Sequence, residues 1–127
     1  MSSTLDRVLA HPDVLRLSQA LTEHPGVRIN APDPLRRASV AVVLRLGDDA
    51  ALELLLIKRA EFAGDPWSGH VALPGGRRED TDKSATATAI RETLEETAID
   101  LVRHGRLIGA LDELQPRTRA LPPIVIA

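Results

Sequence analysis

The chain has no cysteine and no tyrosine, and Phe62 and Trp67 are its only aromatic residues. The missing cysteines exclude a disulfide framework and any thiolate metal site. The scarcity of aromatics excludes a nucleic-acid binder built on stacking platforms. There is no basic block, and 16 Lys and Arg against 18 Asp and Glu leave a formal charge of −2. That argues against binding a phosphate backbone in bulk. An anionic substrate would need local cations or a metal. No apolar run approaches membrane length, and no segment reads as a secretory signal, so a cytoplasmic protein without membrane association is expected. His11, His24 and His104 are scattered and mark no zinc site. The 127 residues, 43% of them hydrophobic, suffice for one small folded domain.

Residues 4–10 and 12–23 read as two short helices, the second with Pro12 in its first turn and a helical spacing of Val14, Leu15, Leu17, Ser18 and Leu21. His24, Pro25 and Gly26 end it. Residues 27–37, with Pro32 and Pro34, read as a linker. Residues 38–46 and 51–58 read as strands joined by a turn at 47–50, a hairpin. Residues 60–68 read as a loop, 69–73 as a short strand, and Gly75-Gly76 as a loop after it. Asp82 is placed to cap a helix over 83–97. Residues 105–111 read as another strand. Residues 124–127 read as a strand just begun, which suits either a sheet edge or a domain cut short. The architecture expected is α+β, a mixed sheet with a helix packed on it.

The predicted helix carries Glu92, Glu95 and Glu96 near its C-terminal end, where the helix dipole is already negative. Glu92 and Glu96 are also like charges at i,i+4, typically unfavourable by about 0.2–0.5 kcal/mol. A bound cation is the simplest physical remedy. On a helical wheel Ala87, Ile90, Leu94 and Thr97 form one stripe that can pack on a sheet, with the carboxylates opposite. Hard cations such as Mg2+ or Mn2+ take oxygen ligands and often share them with substrate phosphates. The plainer reading is a solvated Glu face with an Arg91–Glu95 surface pair. Gly75-Gly76 tips the balance, because glycine permits close approach of backbone to a ligand.

Joined at these separations, Gly75-Gly76, Asp82 and Arg91–Glu96 (RETLEE) resemble the box of the Nudix hydrolase family, GX5EX7REUXEEXGU. The spacing from Gly76 to Arg91 is one residue longer than the general box. Asp82 takes the place of its first Glu, Thr93 of an aliphatic residue and Ala98 of its later Gly. The branch similar to coenzyme A pyrophosphatases carries GGxxDxxDxxxxxTAxREAxEE. Gly75, Gly76, Asp82, Thr88, Ala89, Arg91, Glu92, Glu95 and Glu96 follow that spacing, with Glu79 for its first Asp. An upstream motif of that branch, LLTxRSx3Rx3Gx3FPGG, is met in residue type at Leu55, Leu56, Arg59, Gly69, Pro74, Gly75 and Gly76, with one residue more between Arg59 and Gly69 than the motif prescribes. It is not met at Ile57, Ala60, Asp65 and Leu73.

The resemblance implies an α/β/α sandwich with a mixed sheet over residues 38–127, preceded by a helical segment and linker over 1–37. It implies Mg2+- or Mn2+-dependent hydrolysis of a P–O–P linkage in a nucleoside diphosphate derivative, coenzyme A or its esters first. ADP-ribose, nucleotide sugars, nucleoside triphosphates, or a non-catalytic nucleotide-binding module are the alternatives. By resemblance Glu92 and Glu96 are the principal metal ligands. Glu95 is a third ligand or a holder of water, and the Gly75 carbonyl a supplementary one. Arg91 either orients these carboxylates or forms an ordinary helix ion pair. Asp82 either accepts from Arg91 or caps the helix. Arg59, Gly75 and Gly76 are placed to bind substrate. In many members of the family the base or an extra metal ligand comes from a later loop outside the box, so no base is named. Glu95 is the fallback, and Asp112 and Glu113, better read as an ordinary polar loop, stand behind it. Family members often dimerise, and an exposed final strand would suit pairing in a homodimer.

Overall fold

The computed structural model describes residues 3–29, 37–60, 63–64 and 69–114, and the backbone of 125–126. The two aromatic residues, Phe62 and Trp67, lie outside these. Helix α1 (Thr4–Leu9) opens on a capping box. The Asp6 N–H donates to Ser3 Oγ at 3.0 Å, and the Ser3 N–H donates back to Asp6 Oδ2 at 3.2 Å. Helix α2 (Pro12–Glu23) has Pro12 in its first turn as expected, and His11 Nδ1 accepts the Asp13 N–H at 3.1 Å. His11 is thus a helix cap.

The predicted strand over 38–46 divides into β1 (Arg37–Val40) and β2 (Leu44–Leu46). The two halves serve different partners. β2 pairs with β3 (Leu52–Leu54) as the expected hairpin, turning at Ala50 with φ 61°. The predicted second strand divides likewise, because β4 (Ile57–Lys58) pairs with β5 (Val71–Ala72).

β1 is the middle of a three-stranded sheet. On one side it pairs antiparallel with β6 (Gly75–Arg77), and on the other parallel with β7 (Val125–Ile126). The sheet is therefore mixed, and helix α3 (Ala85–Thr97) packs across β6 and β1. Among the described residues the chain is an α+β fold with small sheets. Gly75 and Gly76, expected in a loop, lie within β6.

Two expectations for α3 are corrected. Its cap is Ser84, whose Oγ accepts the Ala87 N–H at 3.0 Å, and the helix starts at Ala85. Its buried flank carries Thr88 and Thr93, both at 0% exposure, whereas Leu94 of the predicted stripe is 45% exposed. A threonine can enter a helix–sheet contact because its hydroxyl bonds its own helix, as Thr93 Oγ1 does to the Ala89 carbonyl at 2.7 Å. The helix ends at Ala98 with φ 62°, the left-handed conformation that favours glycine. A short α4 (Leu101–His104) follows.

Residues 105–111 form no strand. They run irregularly against the N-terminal arm, where Gly109 is so close that a Cβ there would lie 2.8 Å from Leu21 Cβ. The Val27 N–H donates to Asp112 Oδ1 at 2.8 Å, the Glu113 N–H to the Val27 carbonyl at 2.9 Å, and the Ile29 N–H to Glu113 Oε1 at 2.7 Å. Arg37, at the start of β1, pairs with the same buried Glu113 at 3.2 Å. Among the described residues no helix is long and apolar enough to cross a membrane.

Candidate functional site

Gly75 and Gly76 permit two different close approaches. Opposite Gly75 is Val40 of β1, and a Cβ on Gly75 would overlap the Ser39 carbonyl and come within 2.7 Å of Val40 Cα. A Cβ on Gly76 would instead meet the Glu92 carboxyl, at 2.5 Å from Cδ and 2.6 and 2.8 Å from its oxygens. The first glycine lets two strands approach and the second lets a helix carboxylate lie on the strand. Neither glycine has positive φ, so close approach alone explains them.

The carboxylates of α3 then separate by environment. Glu96 Oε1 accepts the Gly75 N–H at 2.8 Å. Glu92 is mostly buried, and burial pushes its carboxyl above the usual range. Arg91 pulls it back, while Glu95 and Glu96 push in the same direction as burial. Glu95 points outward, with 56% of its side chain exposed, and pairs with Arg91 at 3.2 Å.

Arg91 is the hub. Its Nε and Nη2 donate to Asp82 Oδ1 and Oδ2, both at 2.9 Å, a bidentate pair. Nη2 also donates to the Arg77 carbonyl at 3.0 Å, tying α3 to β6. Nη1 donates to Glu92 at 3.1 Å and Glu95 at 3.2 Å, and Glu79 is 3.5 Å away. Asp82 above all, with Glu95 and Glu79, raises the Arg91 pKa further against the opposing effect of burial. Asp82 is buried, and the Arg91 bond above all holds its carboxyl well below the usual carboxylate range. The Glu79 N–H at 2.9 Å and the Thr88 hydroxyl at 3.0 Å help. Of the two roles open to Asp82, the structure selects the pairing with Arg91.

The remaining expected residues fall elsewhere. Arg59 follows β4, its N–H donating to the His70 carbonyl at 2.9 Å. Asp112 and Glu113 are corrected as candidate bases, since both are committed to backbone N–H groups of the N-terminal arm. Burial opposes ionisation of Glu113, but the Ile29 N–H and Arg37 outweigh it and its pKa is lowered. The sequence reading assigned no role to Thr88 and overlooked Ser84. A Ser directly before the helix was the available signal for the cap, and a Thr six residues after Asp82 for the network.

The donor set fits a hard divalent cation in chemical type, being carboxylate oxygen. Burial first, and then the nearby Glu95 and Glu96, disfavour the charged form of Glu92, a cost that a cation would relieve. Among the described residues no three such side chains yet converge on one point, and the Arg91 guanidinium supplies the positive charge between Glu92 and Glu95.

The NUDIX domain profile matches residues 35–123, which include every residue of this cluster. The chain belongs to the Nudix family. It is 45% identical over 118 residues to an uncharacterised protein of Schizosaccharomyces pombe, covering 80% of this chain and 35% of that protein. It is 38% identical over 81 residues to Nudix hydrolase 15, mitochondrial, of Arabidopsis thaliana, covering 64% of this chain and 27% of that one. It is 36% identical over 96 residues to the uncharacterised Nudix hydrolase NudL of Cronobacter sakazakii, covering 76% and 44%. The chain thus spans less than half the length of each of these relatives.

Proposed function

We propose that this Nudix chain carries a metal-dependent pyrophosphohydrolase site that cleaves the P–O–P linkage of a nucleoside diphosphate derivative, coenzyme A or its esters first. Residues 38–127 are taken as the hydrolase domain, folding within an α/β/α sandwich, and 1–37 as a helical arm. The reading rests above all on Glu92 and Glu96 lying against the two glycines of β6, Glu92 over Gly76 and Glu96 on the Gly75 N–H. Coenzyme A rests on the long spacing from Gly76 to Arg91. ADP-ribose, nucleotide sugars and nucleoside triphosphates are the alternatives within the class. The protein is taken as cytoplasmic, free of nucleic acid and membrane, and able to form a homodimer.

Glu92, Glu96 and Glu95 would hold Mg2+ or Mn2+, with the Gly75 carbonyl as a further oxygen. A divalent cation bound there supplies neutralisation and orientation of the diphosphate and acidification of the attacking water. Arg91 orients Glu92 and Glu95 from its anchor on Asp82. Glu96 is set in place by the Gly75 N–H. Glu95, more exposed than Glu92 and reached by Arg91 at 3.2 Å, is the candidate to accept the proton of the attacking water. Arg59 is assigned to a substrate phosphate. The bond to phosphorus forms from water oxygen as the bridging P–O bond breaks, giving two phosphorylated products.

Turnover on a panel of coenzyme A esters, ADP-ribose, nucleotide sugars and nucleoside triphosphates with Mg2+ tests the reading. Activity on a diphosphate that Glu96→Gln abolishes is the expected result. Retained activity in that variant refutes the site, and no turnover at all favours a nucleotide-binding module.

A further inference from the structure

Thr88 is sealed inside at 0% exposure, three residues before Arg91 and four before Glu92. It therefore lies on their side of the helix. Its Oγ1 donates to Asp82 Oδ2 at 3.0 Å, while the competing bond to the Ser84 carbonyl is longer, at 3.3 Å. The same Oδ2 accepts the Glu79 N–H at 2.9 Å and Arg91 Nη2 at 2.9 Å, and Oδ1 accepts Arg91 Nε at 2.9 Å. The terminal torsion of an aspartate is broad by nature. A carboxylate held by Arg91 alone could pivot with it. Two more donors on Oδ2, one from the preceding loop and one from the helix, fix the carboxylate plane. That plane faces the Nε–Nη2 edge of the guanidinium and leaves Nη1 for Glu92 and Glu95.

We propose that Thr88 is a positioning residue of the candidate metal site: its buried hydroxyl locks the Asp82 carboxylate, and through it the Arg91 guanidinium that holds Glu92 and Glu95. The consequence for metal binding rests on the hydrolase reading above, whereas the locking of Arg91 does not. Thr93 is the matched control. It lies on the same helix at the same 0% exposure, but its hydroxyl donates to the Ala89 carbonyl, away from Asp82. A role in packing alone predicts the same behaviour for Thr88→Val and Thr93→Val.

Two measurements on the purified protein decide the matter: hydrogen exchange of the Arg91 Nε–H by NMR, and Mn2+ binding by electron paramagnetic resonance. Thr88→Val should speed exchange of that hydrogen about tenfold and raise the Mn2+ dissociation constant about tenfold. Thr88→Ser, which keeps the hydroxyl, should restore both, and Thr93→Val should leave both unchanged. If Thr88→Val does not fold, Thr88→Cys takes its place, because a thiol is a weak donor of similar size. Wild-type values in Thr88→Val, or equal losses in Thr93→Val, overturn the proposal. A wild type that binds no Mn2+ removes the hydrolase reading instead. Arg91 exchange then judges the positioning role alone, with faster exchange in Thr88→Val supporting it and unchanged exchange overturning it.

Discussion

Gly76→Ala should separate the geometry of the site from the stability of the fold. The new Cβ would sit 2.5 Å from Glu92 Cδ, where an ordinary carbon contact is about 3.5 Å. The carboxylate must therefore retreat by about 1 Å. It is the far end of a flexible side chain, so the backbone need not move. Alanine in extended backbone also stabilises by about 0.4–1 kcal/mol through the unfolded chain, which offsets part of the weakened Glu92–Arg91 contact. The net change in stability should stay within about 1 kcal/mol, a few degrees in Tm at most. A catalytic group misplaced by about 1 Å costs up to about 100-fold in rate. Gly75→Ala is the reverse case. Its Cβ runs into the backbone of Ser39 and Val40, so β1 and β6 must part. Overpacking of this kind costs about 1–3 kcal/mol, or about 10 °C in Tm at the upper end. Initial rates with Mg2+ and thermal melts on both variants make the comparison. Full turnover in Gly76→Ala would refute the assignment of Glu92, and an unchanged melt in Gly75→Ala would refute the account of the strand contact.

Arg91→Met leaves the buried Asp82 carboxylate unpaired and should destabilise the fold by about 3–5 kcal/mol in urea melts. The folded Asp82 pKa is depressed, so its stabilisation is present above the unfolded value and is lost as pH falls below about 4. Asp82→Asn should be less stable at neutral pH and show a flatter acid limb; an unaltered acid limb would count against the pairing. Glu92 is shifted the other way, so its charge opposes folding above its usual pKa. Glu92→Gln should then melt higher than wild type without divalent cation and gain nothing from Mg2+, whereas wild type gains about 2.7 kcal/mol at 100 times Kd. A lower melting point in cation-free buffer would contradict this. Ala98→Gly should stabilise by about 1 kcal/mol by relieving the left-handed φ, read as a rise in Tm. Glu113→Gln should cost about 1–3 kcal/mol by weakening the Arg37 pair and should leave the Mg2+ requirement unchanged; a changed requirement would return Glu113 to the site.

Much of the chain was legible locally. Both N-terminal helices, the hairpin, the glutamate helix and the final strand follow from caps, periodicity and turn residues, all short-range signals. The family followed from the spacing of Gly75-Gly76, Asp82 and Arg91–Glu96. What the sequence could not rank was choice of partner. The two long strands divide because β1 and β2, like β3 and β4, bond to different neighbours, which no local pattern records. The predicted stripe on α3 misplaced the buried flank because threonine counts as polar until its hydroxyl is seen bonded within the helix.

The sequence by itself thus determined the carboxylate-bearing helix, its glycine pair and the Nudix family, since spacing along one helix is fixed by the 3.6-residue turn. Tertiary structure alone decided that the glycines form a strand, that Ser84 caps while Asp82 anchors Arg91, and that Glu113 serves the N-terminal arm. Each of these is a contact between segments separated in the chain or a choice between two available acceptors. Such choices depend on which groups burial brings together, and desolvation penalises every alternative that leaves one unpaired.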